Sequence, residues 1–114
     1  MTAAPYPYLA VRFRVQDYIA EEPALVDTGF DGHLAIPEAL AATLPPPLYL
    51  RRIRTASGQV VRVPAYLGTV EFVDQPGPFD ALVIAQGDEF LIGLPMVNRF
   101  RVTFDHGQRV LVEP

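Results

Sequence analysis

Residues 8 to 15 alternate, with Leu9, Val11, Phe13 and Val15 on one side and Tyr8, Ala10, Arg12 and Arg14 on the other. A period of two over eight residues predicts a half-buried strand. Pro5 and Pro7 have no amide hydrogen, which keeps the stretch before it out of a central sheet position. Gln16 to Glu22 is polar around Tyr18 and Ile19 and reads as a turn that Pro23 ends. Ala24 to Asp27 reads as a short buried strand, broken by Thr28-Gly29. Asp31-Gly32 is a turn signal, and His33-Leu34-Ala35-Ile36 a further short strand. Pro37 suits the first position of a short helix, with Glu38 in its first turn. Ala39 to Leu44 favours a core helix, which Pro45-Pro46-Pro47 stops as a stiff connection inside one domain.

Leu48 to Thr55 and Gln59 to Phe72 read as two strands joined at Ala56-Ser57-Gly58, a tip whose small residues predict a mobile hairpin. Pro64 and Gly68 are expected to interrupt and bend the second arm. Val70 to Val73 and Phe79 to Ala85 form another hairpin around residues 74–78. The run Ala81 to Ala85 is continuously apolar, as in a strand covered on both faces. Gln86 to Glu89 is a polar turn before the apolar Phe90-Leu91-Ile92-Gly93, and Pro95 opens a short helix through about Phe100. Val102 to Phe104 and Val110 to Val112 close the chain as a hairpin turning at Asp105-His106-Gly107. A weak internal echo runs through this order. One apolar strand ends in Asp27-Thr28-Gly29, another in Gly93, and each leads to a proline-started helix.

Composition narrows the picture. The 114 residues suit one domain, 1–114. Such a domain buries about two thirds of its unfolded surface, so partner burial would help. A net charge of −4 argues against nucleic-acid binding, for which a basic face is expected. All nine basic residues are arginine. The local cluster Arg51, Arg52 and Arg54 reads as a solvated strand face. No cysteine is present, which removes disulfides, thiolate metal sites and a cysteine nucleophile. Residues 1–8 lack the basic and apolar regions of a signal peptide. No run approaches the ~20 apolar residues of a membrane span. The expectation is a cytoplasmic protein with no membrane partner.

Reactive side chains are few, so elimination is informative. Ser57, the one serine, lies outside any nucleophile-elbow pattern. His33 and His106 are distant in sequence, match no zinc spacing, and read as turn or surface residues. Gly29-Phe30-Asp31-Gly32 carries an acid where a phosphate loop cannot have one. Carboxylate chemistry remains. It needs one group to take a proton and another to give one, and two close carboxyls share a proton because both cannot ionise. Asp27 is the one aspartate within an apolar strand. An acid there is expensive unless paired or protonated. The other acids fall in turns or at element ends, apart from Glu71, which alternates with Val70 and Phe72 and so faces water. A homodimer axis would set Asp27 against its own copy.

At these residues the chain resembles the retropepsin-like aspartic proteases. Leu25-Val26-Asp27-Thr28-Gly29-Phe30 with Leu91-Ile92-Gly93 downstream is most similar to their prokaryotic single-domain Asp-Thr-Gly-Phe branch. Asp-Thr-Gly alone is a weak signal; the ordered set over residues 8 to 112 is more specific. The resemblance implies an all-β, single-domain acid-protease barrel with a flap hairpin and one or two short helices, active as a homodimer on peptide or protein substrates without cofactor or metal. It implies that Asp27 is the catalytic acid, that Thr28 and Gly29 support the active-site loop, and that Asp31, Ala56, Ser57 and Gly58 contact substrate. Leu91-Ile92-Gly93 would pack against the active-site strand. Two positions depart from the wider family. Phe30 replaces a small residue. Leu94 stands where retroviral enzymes often carry an arginine that pairs with the acid at the Asp31 position. Other readings stay open: a protease-fold module that dimerises or binds peptides and cuts little, a small β-barrel ligand binder, and Asp27-Thr28-Gly29 as a plain turn whose aspartate caps local amides.

Overall fold

The alternation at the start of the chain becomes strand β2 (Tyr8–Val15), whose Leu9, Val11, Phe13 and Val15 are each no more than 1% exposed. The structure, a computed structural model, describes residues 2–114. Met1, the first residue of the stretch read for a targeting signal, lies outside them. The other strands are β1 (Thr2–Pro5), β3 (Tyr18–Asp27), β4 (Leu34–Ile36), β5 (Tyr49–Arg54), β6 (Val60–Phe72), β7 (Phe79–Ala85), β8 (Leu91–Gly93), β9 (Arg101–Asp105) and β10 (Arg109–Glu113). A 3₁₀ turn spans Glu38–Thr43, and a single α-helical turn, α1, spans Leu94–Val97.

Seven strands form one sheet in the order β2-β3-β8-β4-β7-β6-β5, and β2 also pairs with β6. That extra pairing closes six of them into a barrel and leaves β5 as an outer arm on β6. Closure needs β6 to pass close to β2, where Phe13 faces Val70 and Arg14 faces Thr69. Gly68 stands at this crossing, and a Cβ there would overlap the Arg14 carbonyl oxygen. The glycine therefore does not break the strand as expected. β6 runs unbroken for 13 residues and hands its pairing from β5 to β7 to β2. Pro64 sits in the ladder opposite Leu50, on the outer arm.

The segment read as a polar turn is also strand. β3 begins at Tyr18, and only Gln16 and Asp17 turn the chain, Gln16 with φ of 51°. Ile19, Glu21 and Pro23 face solvent while Ala20, Glu22 and Ala24 alternate inward, so the segment is one arm of a hairpin whose faces do not sort by polarity. Pro23 lies opposite Ala10, whose carbonyl accepts the Val73 N–H instead. Of Ala24 to Asp27, only Ala24 is fully buried. The Ala-rich run makes a 3₁₀ turn with no buried residue, because the prolines at 37 and 45–47 leave room for little more. The helix opened by Pro95 ends at Val97, short of Phe100.

Two apolar clusters fill the molecule. The larger joins β2, β6, β7, α1 and β10 through residues such as Phe13, Phe72, Val83, Met96 and Val112. The smaller comprises Ala35, Val63, Ala65 and Ile84, with Phe30, Ile53 and Leu91 packed against it. β7 contributes to both, which is why its run is apolar without alternation. The terminal strands make a separate three-stranded sheet, β1-β10-β9, with the N-terminal stretch at its edge.

Candidate active site

β3 and β8 run parallel and adjacent, with Val26 opposite Ile92 and Asp27 opposite Gly93. The echo in the sequence is thus a spatial pairing. Asp27 is the last residue of its strand. Its Oδ1 accepts the Gly29 N–H at 2.9 Å, and its carbonyl accepts the Phe30 N–H at 3.1 Å. Among the described residues Oδ2 has no partner. The loop that follows is tied to β8: Gly93 N–H donates to His33 O at 3.0 Å and Leu94 N–H to Phe30 O at 2.9 Å. The backbones approach so closely that a Cβ on Gly93 would overlap the Gly32 carbonyl oxygen. The glycine of Leu91-Ile92-Gly93 is required by this contact.

Asp27 opens into a cleft of about 450 Å³. Gly29, Phe30 and Asp31 bound it on the loop side, Ile84, Gln86 and Leu91 along the floor, and residues Arg51 to Ala56 on the hairpin side. The floor is firm because Phe30, Ile53, Ile84 and Leu91 belong to the smaller apolar cluster. Asp27 is half-buried rather than sealed in an apolar strand.

The hairpin tip is closed by its own hydrogen bonds. Thr55 N–H donates to Gln59 O at 2.8 Å, Gly58 N–H to Thr55 O at 2.9 Å, and an Arg54 Nη1 hydrogen to Gly58 O at 2.9 Å. Gly58 has φ of +86°, which glycine adopts without steric cost.

Of the residues expected at the site, Asp27, Gly29, Asp31 and Ala56 share the cleft. Thr28 is exposed on the loop, and Ser57 and Gly58 sit on the exposed tip, outside the cleft lining. Phe30 lines the cleft and packs on the smaller cluster, filling space that a small residue would leave open. Sequence reasoning missed Arg51, Ile53, Thr55, Ile84 and Gln86. The arginine cluster was read as solvated, and for Arg52 and Arg54 exposure agrees. Arg51 is half-buried, on the same side of β5 as Ile53, and all three arginines line the cleft. Alternation within Arg51-Arg52-Ile53-Arg54 was the available signal.

His33 also departs from a turn or surface role. It is half-buried, and its Nδ1 accepts the Leu82 N–H at 3.1 Å. Burial, with the nearby charges of Arg99 and Arg51, lowers its pKa. Glu71 does not simply face water either: its carboxylate takes Arg12 Nη1 at 3.3 Å, and Arg12 also binds Glu21 at 2.8 Å. Among the described residues no three His, Asp or Glu side chains cluster as metal ligands would.

The closed six-stranded barrel, with Asp27 ending one strand of a parallel pair and a hairpin bordering the cleft, is a retropepsin-like fold. No protein-family model matches the chain, and no curated protein matches it in sequence. Solved structures match it in shape. One is a retropepsin-like aspartic protease from Rickettsia conorii, with a TM-score of 0.62 at 18% identity, covering 97% of this chain and 99% of that one. Another is the protease of simian foamy virus (mac), with a TM-score of 0.53 at 21% identity, covering 80% of this chain and 91% of that one.

Proposed function

We propose that the chain is an aspartic endopeptidase that works as a homodimer, with Asp27 and the partner subunit's Asp27 as the paired carboxylates. The observation that carries this reading is the setting of Asp27. It ends a strand at the foot of a cleft, has one oxygen held by the Gly29 N–H, and has the other without a partner among the described residues. An isologous contact beside the exposed Thr28 would bring two such carboxyls together. Close carboxyls share one proton. The ionised one takes a proton from water as the water oxygen attacks the peptide carbonyl carbon. The neutral one gives its proton to the carbonyl oxygen. As the tetrahedral carbon collapses, a proton passes to the nitrogen and the C–N bond breaks. In this scheme Thr28 and Gly29 hold the loop, Asp31 and Ala56 meet the peptide, and the tip at Ser57 and Gly58 closes over it to exclude water.

The test combines light scattering after gel filtration with peptide-library cleavage from about pH 4 to 7. A mass of two chains and cleavage that Asp27→Asn abolishes are the expected results. A strict monomer at high concentration, or equal activity in the variant, would overturn the mechanism. A peptide-binding module that cuts little is the second reading. Leu94 favours it, since Asp31 has no ion pair among the described residues.

A further inference from the structure

The charge along this chain is unevenly placed. Between Glu38 and Glu71 there is no aspartate or glutamate, yet Arg51, Arg52, Arg54 and Arg62 all fall there. The remaining five arginines face all thirteen carboxylates of a chain whose net charge is −4. The four arginines sit on one antiparallel pair, β5 and β6, with Arg52 directly opposite Arg62. Like charges placed directly opposite destabilise a strand pair, so the arrangement asks for an external counter-charge. Arg54 donates to the Gly58 carbonyl, which satisfies a hydrogen bond and leaves the charge uncompensated. None of the four has a carboxylate within ion-pair distance among the described residues.

Arg51, Arg52 and Arg54 also border the cleft that holds Asp27. Arg51 is the least exposed of the three: it is half-buried and shares the inward side of β5 with Ile53, which also lines the cleft. A half-buried guanidinium without a partner is a recognition element for a carboxylate. Nucleic acid is disfavoured as the occupant, because Asp27 and Asp31 line the same cleft and would repel a continuous phosphate chain. A peptide meets this layout residue by residue, with an acidic side chain at the hairpin and a neutral backbone at the carboxylates.

We infer that the cleft selects peptides carrying a glutamate or aspartate side chain beside the segment held over Asp27, and that Arg51 is the residue that determines this preference. The inference rests on the peptidase reading for its location and adds the substrate class.

The test uses matched peptides in which one Glu is replaced by Gln or by Lys, at about pH 6 where Glu is ionised. Cleavage efficiency is measured for the wild type, Arg51→Lys, Arg51→Gln and Arg51→Glu. Binding of the same peptides is measured by fluorescence anisotropy on Asp27→Asn. In the wild type the Glu peptide should exceed the Gln peptide about tenfold in kcat/KM, the order expected of one charge-assisted hydrogen bond. Arg51→Lys keeps the order of preference, Arg51→Gln flattens it, and Arg51→Glu places the Lys peptide first. Equal use of Glu and Gln peptides by an active wild type overturns the inference and leaves the peptidase reading intact. No cleavage at all, but a Glu preference in binding that Arg51→Glu in the Asp27→Asn background abolishes, overturns the peptidase reading and supports the inference. Dissociation of a dimer by Arg51→Glu, or displacement of peptide by a single-stranded oligonucleotide, assigns the arginines to another partner and overturns it.

Discussion

His33 accepts a backbone N–H on Nδ1, so the fold selects the neutral ring with its proton on Nε2. Burial, with the nearby charges of Arg99 and Arg51, holds the folded pKa below the ordinary 6.5. The sign of the pH effect follows. The unfolded chain binds a proton more readily, so the stabilisation from His33 is fully present above 6.5 and is lost as pH falls through the lower folded value. Urea midpoints of the wild type should therefore drop on acidification from about pH 7.5 to 5 more steeply than those of His33→Gln, whose amide oxygen can still accept. Parallel curves would show that His33 does not couple to folding. Asp105 adds to the same direction at lower pH, since hydrogen bonds from Arg109 and His106 hold its carboxyl below the usual range. The position of Asp27 at a strand end was legible from sequence at this scale, because an acid that closes an apolar run before Thr28-Gly29 stands out. Arg51 was not singled out, although its spacing of two from Ile53 sets it apart from Arg52 and Arg54, because three arginines together look like a solvated face.

Gly68 shows how an element depends on one missing atom. Its position lets β6 lie against β2 and close the barrel, and an added methyl would meet the Arg14 backbone rather than a yielding side chain. Gly68→Ala is expected to cost about 2–3 kcal/mol in urea unfolding, within the usual range for overpacking. Leu67→Ala next to it, at a side chain 65% exposed, should change stability by less than about 0.5 kcal/mol. A similar small loss in both would mean that closure does not rest on the glycine. Alternation identified β2 to the residue and continuous apolarity identified β7, since both report burial directly. The first half of β3 escaped because its outward residues include the apolar Ile19 and Pro23 and its inward ones include Glu22, so its alternation does not follow polarity.

For the whole molecule, the proposed dyad makes activity a property of the pair. When wild type and Asp27→Asn chains are premixed and allowed to exchange, activity should fall as the square of the wild-type fraction, because a mixed dimer holds one ionisable carboxyl at the axis. A linear fall in single-turnover cleavage would show that each chain works alone. By itself the sequence determined what local patterning controls: the strand-rich class, most turns, the Asp27-Thr28-Gly29 loop, and the later apolar strand that echoes it. Only the tertiary structure decided that these two strands lie parallel with Asp27 opposite Gly93, that β2 meets β6 across a glycine, and that an arginine hairpin borders the carboxylate cleft. The physical reason is that burial and turn chemistry act between near neighbours and leave their mark in residue order. Which faces meet, and which charges share a cleft, depends on how distant strands pack, and no short stretch of chain records that.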